Sequence, residues 1–98
     1  MSTWVYLVCL DHDPPLQSEG ESGQHLTDLP EIRSDIALRE KYVALSSDDV
    51  YGEWWDSLHH FRRNSVRFLR EHPRCHIGIR DEYGVWHPSG DDTPMRSK

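Results

Sequence analysis

Arg74-Cys-His-Ile-Gly-Ile-Arg-Asp-Glu-Tyr-Gly-Val-Trp-His87 is the stretch that decides the fold. Its first half alternates, with Cys75, Ile77 and Ile79 on one face and His76, Gly78 and Arg80 on the other. That period of two is the mark of a strand with one face against a core. Asp81-Glu-Tyr-Gly84 reads as a turn, with glycine where a positive φ is wanted. Val85-Trp86-His87 returns as a short strand and Pro88 ends it. The stretch therefore predicts an antiparallel hairpin.

Upstream, the pattern changes from strand to helix. A helix is predicted from about Val50 or Glu53 to His72, with Pro73 stopping it. Trp54, Leu58, Phe61, Ser65, Phe68 and Leu69 form its apolar stripe. Arg63, Arg67, Arg70 and Arg74 form the opposite one. Asp28-Leu-Pro-Glu31 starts an earlier helix, with Asp28 as cap, Pro30 in the first turn and Glu31 at capping-box spacing. That helix is expected to run to about Val43, with Leu29, Ile32, Ile36 and Val43 on one face and Leu38, Tyr42 and Leu45 on the other. Ser46-Ser-Asp-Asp49 breaks the two helices apart. Thr3-Trp-Val-Tyr-Leu-Val-Cys-Leu10 is apolar on both faces and reads as a central strand. Asp11 to Thr27 is a long loop punctuated by Pro14-Pro15, Gly20 and Gly23. The expected architecture is α+β, in the order β-α-α-β-β. A three-stranded, mainly antiparallel sheet would carry both helices on one face. Residues 1–88 would form a single domain and 89–98 a disordered polar tail.

At 98 residues the chain holds one domain with one modest core. No apolar run is long enough to cross a bilayer. The start, Met-Ser-Thr-Trp-Val-Tyr, lacks a basic region and soon reaches Asp11 and Asp13, so no signal peptide is expected and the cytoplasm is the expected location. The net charge of −6 argues against a general nucleic-acid binder. The charge is uneven. Residues 1–30 hold five acids and no Lys or Arg, whereas residues 54–80 hold six Arg and only Asp56 and Glu71 as acids.

The residues that approach a chemical signature are Cys9, His12, His25, Cys75 and His76. Cys9-Leu-Asp-His12 has a ligand-like C-x2-H spacing at the end of a strand, and His25 lies near the end of the long loop. A structural zinc takes four thiolate and imidazole ligands. If the first two strands run antiparallel, Cys9 and Cys75 become neighbours. A Cys9, His12, His25, Cys75 site would then pin the loop. The alternative is a metal-free core, since Cys packs as a small hydrophobe and Cys75 alternates with Ile77 and Ile79. Both readings stand open. In the cytoplasm two thiols are expected rather than a disulfide. No nucleophile signature surrounds either Cys, which leaves a catalytic thiol without support.

His59-His60 with Asn64 invites a nuclease reading of the His-Asn-His type. The spacing defeats it, because His60 and Asn64 are one helical turn apart within one predicted helix. His72, at that helix's end, faces the negative pole of its dipole. The Arg row could meet nucleic-acid backbone or an acidic protein surface, or stay a solvated helix face. Trp55 with Tyr51 is a candidate contact surface, because Trp and Tyr recur at interface hot spots. Arg63, Arg67, Arg70, Tyr51 and Trp55 are thus the candidate partner-binding residues.

Cys9-Leu-Asp-His-Asp-Pro-Pro-Leu16, Gly23-Gln-His25, Asp28-Leu-Pro-Glu-Ile-Arg33, Asn64-Ser-Val-Arg-Phe-Leu-Arg-Glu-His-Pro-Arg-Cys75 and Ile79-Arg-Asp-Glu-Tyr-Gly84 together resemble a family of small uncharacterised proteins encoded by phages of actinobacteria. The resemblance covers most of residues 4–86. It implies expression in a bacterial host cytoplasm, and it carries no activity, cofactor or catalytic residue. By analogy with small accessory phage proteins it favours a binding module over an enzyme. The function expected is a non-enzymatic module that binds a host protein or itself. A nucleic-acid-binding module using the Arg row, with zinc as a stabiliser, is the alternative. No membrane association is expected.

Overall fold

The computed structural model describes residues 3–24, 26–45 and 52–93. Its strands are β1 (Val5–Cys9), β2 (Leu16–Gln17), β3 (Ile77–Asp81) and β4 (Trp86–His87). Its α-helices are α1 (Leu29–Ala37), α2 (Arg39–Val43), α3 (Glu53–Ser57) and α4 (His60–Glu71). The sheet order is β2-β1-β3-β4, and every neighbouring pair is antiparallel. The class is α+β, as expected.

The pairing follows the period of two. Cys9 faces Ile77, Leu7 faces Ile79 and Val5 faces Asp81. Directly opposed residues share a face, so Val5, Leu7 and Cys9 join Ile77 and Ile79 in one fully buried layer. Ile32, Ile36, Tyr42, Leu58, Val66, Phe68 and Leu69 from the helices and the segment between them pack against it. Val8 on the opposite face is also fully buried, which suits a strand that is apolar on both sides.

The sheet has four strands where three were expected. The fourth, β2, comes from the long loop. Gln17 and Leu16 pair with Val8 and Cys9. The Ser18 N–H then donates to Leu7 O at 2.8 Å, Ser22 N–H to Val5 O at 2.7 Å and Val5 N–H to Gly23 O at 3.0 Å. The cause is the open edge of β1, whose buried backbone groups must find partners. Pro14-Pro15 keeps the first part of the loop out of the ladder, and pairing begins directly after it.

Both predicted helices are broken. Leu38, with φ −98° and ψ 6°, separates α1 from α2. The break shifts the helical phase, so Tyr42 is buried at 6% exposure while Val43, expected in the core, is 42% exposed. The Tyr42 hydroxyl donates to Asp35 at 2.5 Å, and Arg62 of α4 donates to the same carboxylate at 3.3 Å. Burial and the Asp35 partner hold the Tyr42 proton on, raising its pKa. The second break falls at Leu58 and His59, both in extended conformation with ψ of 142° and 146°. The His59 ring accepts from Phe61 N–H and caps α4. Leu58 itself is buried.

Gly78 sits where the Trp86 ring lies across the sheet. A Cβ there would stand 2.8 Å from Trp86 Cζ3 and 3.3 Å from Leu10 Cδ1. Gly78→Val should therefore push the indole off the sheet and lower stability by about 1–3 kcal/mol, read as a lower urea midpoint. An unchanged midpoint would mean that the ring is not seated there.

Within the tail expected over 89–98, residues 89–93 lie against the body. Asp91 accepts from Ile77 N–H at 2.7 Å and from Arg39 at 3.0 Å. It thereby continues the edge of β3 beyond the end of β4. Arg39 also donates to Cys75 O at 2.9 Å and to the Thr93 hydroxyl. No helix among the described residues is long and apolar enough to cross a membrane.

Candidate metal centre

Cys9 is the last residue of β1 and is fully buried. The chain then bends through Leu10 and Asp11 to His12, which is exposed. Far along the sequence, α4 ends at Glu71, and Pro73 turns the chain towards Cys75 and the start of β3. Two hydrogen bonds fasten these segments together. Leu10 N–H donates to His76 O at 2.9 Å, and His76 N–H donates to the Asp11 carboxylate at 3.1 Å. The antiparallel ladder is thereby extended past Cys9 by backbone and then side chain.

One result is that the donor atoms of Cys9, His12 and Cys75 all lie within 4.8 Å of one another. Neither Cys is in a disulfide. Two thiols and an imidazole at this separation can hold a metal ion. Bonds of about 2.3 Å to sulfur and about 2.0 Å to nitrogen in a tetrahedron need donor separations of about 3.3–3.8 Å. The group is within about 1–1.5 Å of that, and His12 is its exposed member. The predicted neighbourhood of Cys9 and Cys75 is met. His25, the fourth residue of the sequence-derived set, lies outside the described residues. His76 turns elsewhere, its Nδ1 lying 2.7 Å from Thr93 O.

The sequence did not single out what surrounds the group. The His72 ring meets the His12 ring edge to face, with centroids 5.5 Å apart. It stacks on Phe68 at 4.3 Å, and its Nδ1 lies 2.9 Å from Phe68 O. Its position at a helix end suggested a dipole role only. The signal that could have placed it here is its spacing from Cys75.

The candidate partner residues divide. Arg63 donates at the end of α3 to Trp55 O at 3.1 Å, which also accepts from Leu58 N–H, and to Asp56 O at 2.7 Å. Arg70 reaches Leu45 O at 3.4 Å. Both guanidinium groups thus meet backbone carbonyls. Arg67 is exposed and stands over the Trp55 ring at 5.8 Å from its centroid. Trp55 packs partly buried against the core. Tyr51 lies outside the described residues. A different apolar surface appears at the β3–β4 hairpin, where Tyr83 is 69%, Val85 53% and Trp86 48% exposed. Arg80 lies over the Trp86 ring at 5.3 Å.

Compared with known proteins, the chain matches no family model, no curated protein and no solved structure.

Proposed function

We propose that this protein is a non-enzymatic α+β module, braced by zinc at one end of its sheet, that binds another protein through its β3–β4 hairpin. The brace is supported by the mutual approach of Cys9, His12 and Cys75. Two soft thiolates with an imidazole suit zinc better than the hard cations that prefer oxygen.

The observation that carries the binding role is the hairpin. Trp86 is half exposed, held between Arg80 and the flat space over Gly78, with Tyr83 and Val85 exposed beside it. Trp, Tyr and Arg are the residue types that dominate interface hot spots. An indole already seated on a sheet loses little freedom on binding. The resemblance to phage-encoded proteins makes a host protein the expected partner. Arg63 and Arg70 donate to backbone carbonyls, which weighs against the Arg row as the contact surface.

Sizing chromatography with light scattering, together with pull-down from a bacterial lysate, tests the binding role. A partner or second copy should be held by the wild type. Trp86→Ala should weaken that complex by roughly 30-fold or more, the loss expected of a hot spot. A strict monomer that retains no protein would overturn the binding role.

A further inference from the structure

We propose that His72 is the fourth ligand of the metal centre, completing a closed site of Cys9, His12, His72 and Cys75. This rests on the zinc reading above and names the residue that reading lacks.

Spacing in the sequence and ring contact in the structure both set His72 beside the other three. Cys9-Leu-Asp-His12 is C-x2-H, and His72-Pro-Arg-Cys75 is H-x2-C. One pair leaves the end of β1. The other leads into β3, its antiparallel neighbour. The two pairs meet as mirror images, Cys beside Cys and His beside His. The rings of His12 and His72 are already in contact, with centroids 5.5 Å apart.

The state of the His72 ring suits a ligand. A carbonyl oxygen can only accept, so the 2.9 Å contact with Phe68 O puts the proton on Nδ1. Nε2 then carries the lone pair. Metal-bound imidazoles typically donate their other N–H to a carbonyl or carboxylate in this way, which sets the tautomer and the ring's direction. His72 is 8% exposed and its ring is stacked on Phe68. It is therefore held in place before any ion binds. The C-terminal end of α4 adds its negative pole beside the cation. Among the described residues the mutually close donors are Cys9, His12 and Cys75. His72 lies outside that group, so closing the site requires the exposed His12 side chain and the two thiols to draw in on the fixed His72 ring. Four protein ligands leave no open position for water or substrate, so the site is structural.

The test uses the full chain, purified with reductant and titrated with Zn2+ and with Co2+. Wild type should bind one ion, and the cobalt form should show the intense visible bands of a tetrahedral site. His72→Asn keeps an N–H for the Phe68 carbonyl and removes the imidazole. It should weaken zinc binding by more than about 100-fold, beyond the 10–100-fold expected for loss of a supporting contact. His72→Cys should restore binding and strengthen the sulfur-to-cobalt charge-transfer band, and it covers the case in which His72→Asn fails to fold. Wild-type affinity and an unchanged cobalt spectrum in His72→Asn would overturn the assignment of His72 while leaving the zinc reading in place. Loss of binding in His25→Ala but not in His72→Asn would do the same and return the fourth position to His25. Absence of binding in the wild type would overturn both.

Discussion

Stripping metal from the protein with a strong chelator should lower its melting temperature by roughly 10–20 °C. An ion that binds only the folded state, at a free concentration 100 times its dissociation constant, contributes about 2.7 kcal/mol. A domain of this size shifts by about 4–8 °C per kcal/mol. Added zinc should restore the loss. Cys9→Ser and Cys75→Ser should melt near the chelated wild type, and chelator should lower them no further. The reason is local. The bend at Leu10 and Asp11 is held to His76, just before β3, by two hydrogen bonds, whereas bound metal would tie the two segments together through the Cys and His side chains as well. The readout is a thermal melt with and without chelator. A wild-type melting temperature indifferent to zinc would remove the brace and leave Cys9 and Cys75 as two packed thiols.

Asp91→Ala should cost about 3–5 kcal/mol, the range for breaking a buried ion pair from one side. The side chains of Arg39 and Asp91 are 8% and 4% exposed. Removing the carboxylate leaves a buried guanidinium short of its counter-charge and takes the partner from Ile77 N–H. Replacing the pair together, as Arg39→Met with Asp91→Ala, should recover much of the loss, because no buried charge is left behind. The same contact predicts a pH dependence. Burial pushes the Asp91 carboxyl up, but the N–H groups of Ile77 and Thr93, the Thr93 hydroxyl and the Arg39 guanidinium outweigh it and hold it below its ordinary 3.8. The folded state therefore binds the proton less readily than the unfolded chain. The resulting stability is fully present above pH 3.8 and is lost as pH falls through the lower folded value. Urea midpoints between pH 2 and pH 6 should fall at the acid end for the wild type. They should fall less for Asp91→Ala, and equal slopes would exclude this contact as the source.

What was legible in the residues was whatever repeats over a short span. The alternation through Cys75, Ile77 and Ile79 gave the buried face of β3, and Gly84, with φ of 82°, sits where the turn was read. The helix breaks were hidden because neither Leu38 nor Leu58 is a helix breaker by type. At the end of α3, Arg63 comes from the next helix to donate to Trp55 O and Asp56 O, a partnership that no local pattern signals. β2 was hidden because Leu16 and Gln17 carry no strand pattern of their own and pair only because β1 offers an edge. The approach of Cys9 to Cys75 could be read in advance, since antiparallel neighbours bring the end of one strand to the start of the next. His72 could not be separated from an ordinary helix-end histidine until its ring was found beside His12.

The sequence by itself determined the α+β class, the antiparallel hairpin and the meeting of the two cysteines. Each follows from side-chain period and from where the chain must turn. The tertiary structure alone decided that the loop pairs as β2, that Arg63 and Arg70 serve carbonyls and that Asp91 holds residues 89–93 to β3. These are partnerships between groups far apart in sequence. Which donor finds which acceptor depends on what burial leaves unpaired, and a local pattern does not carry that information.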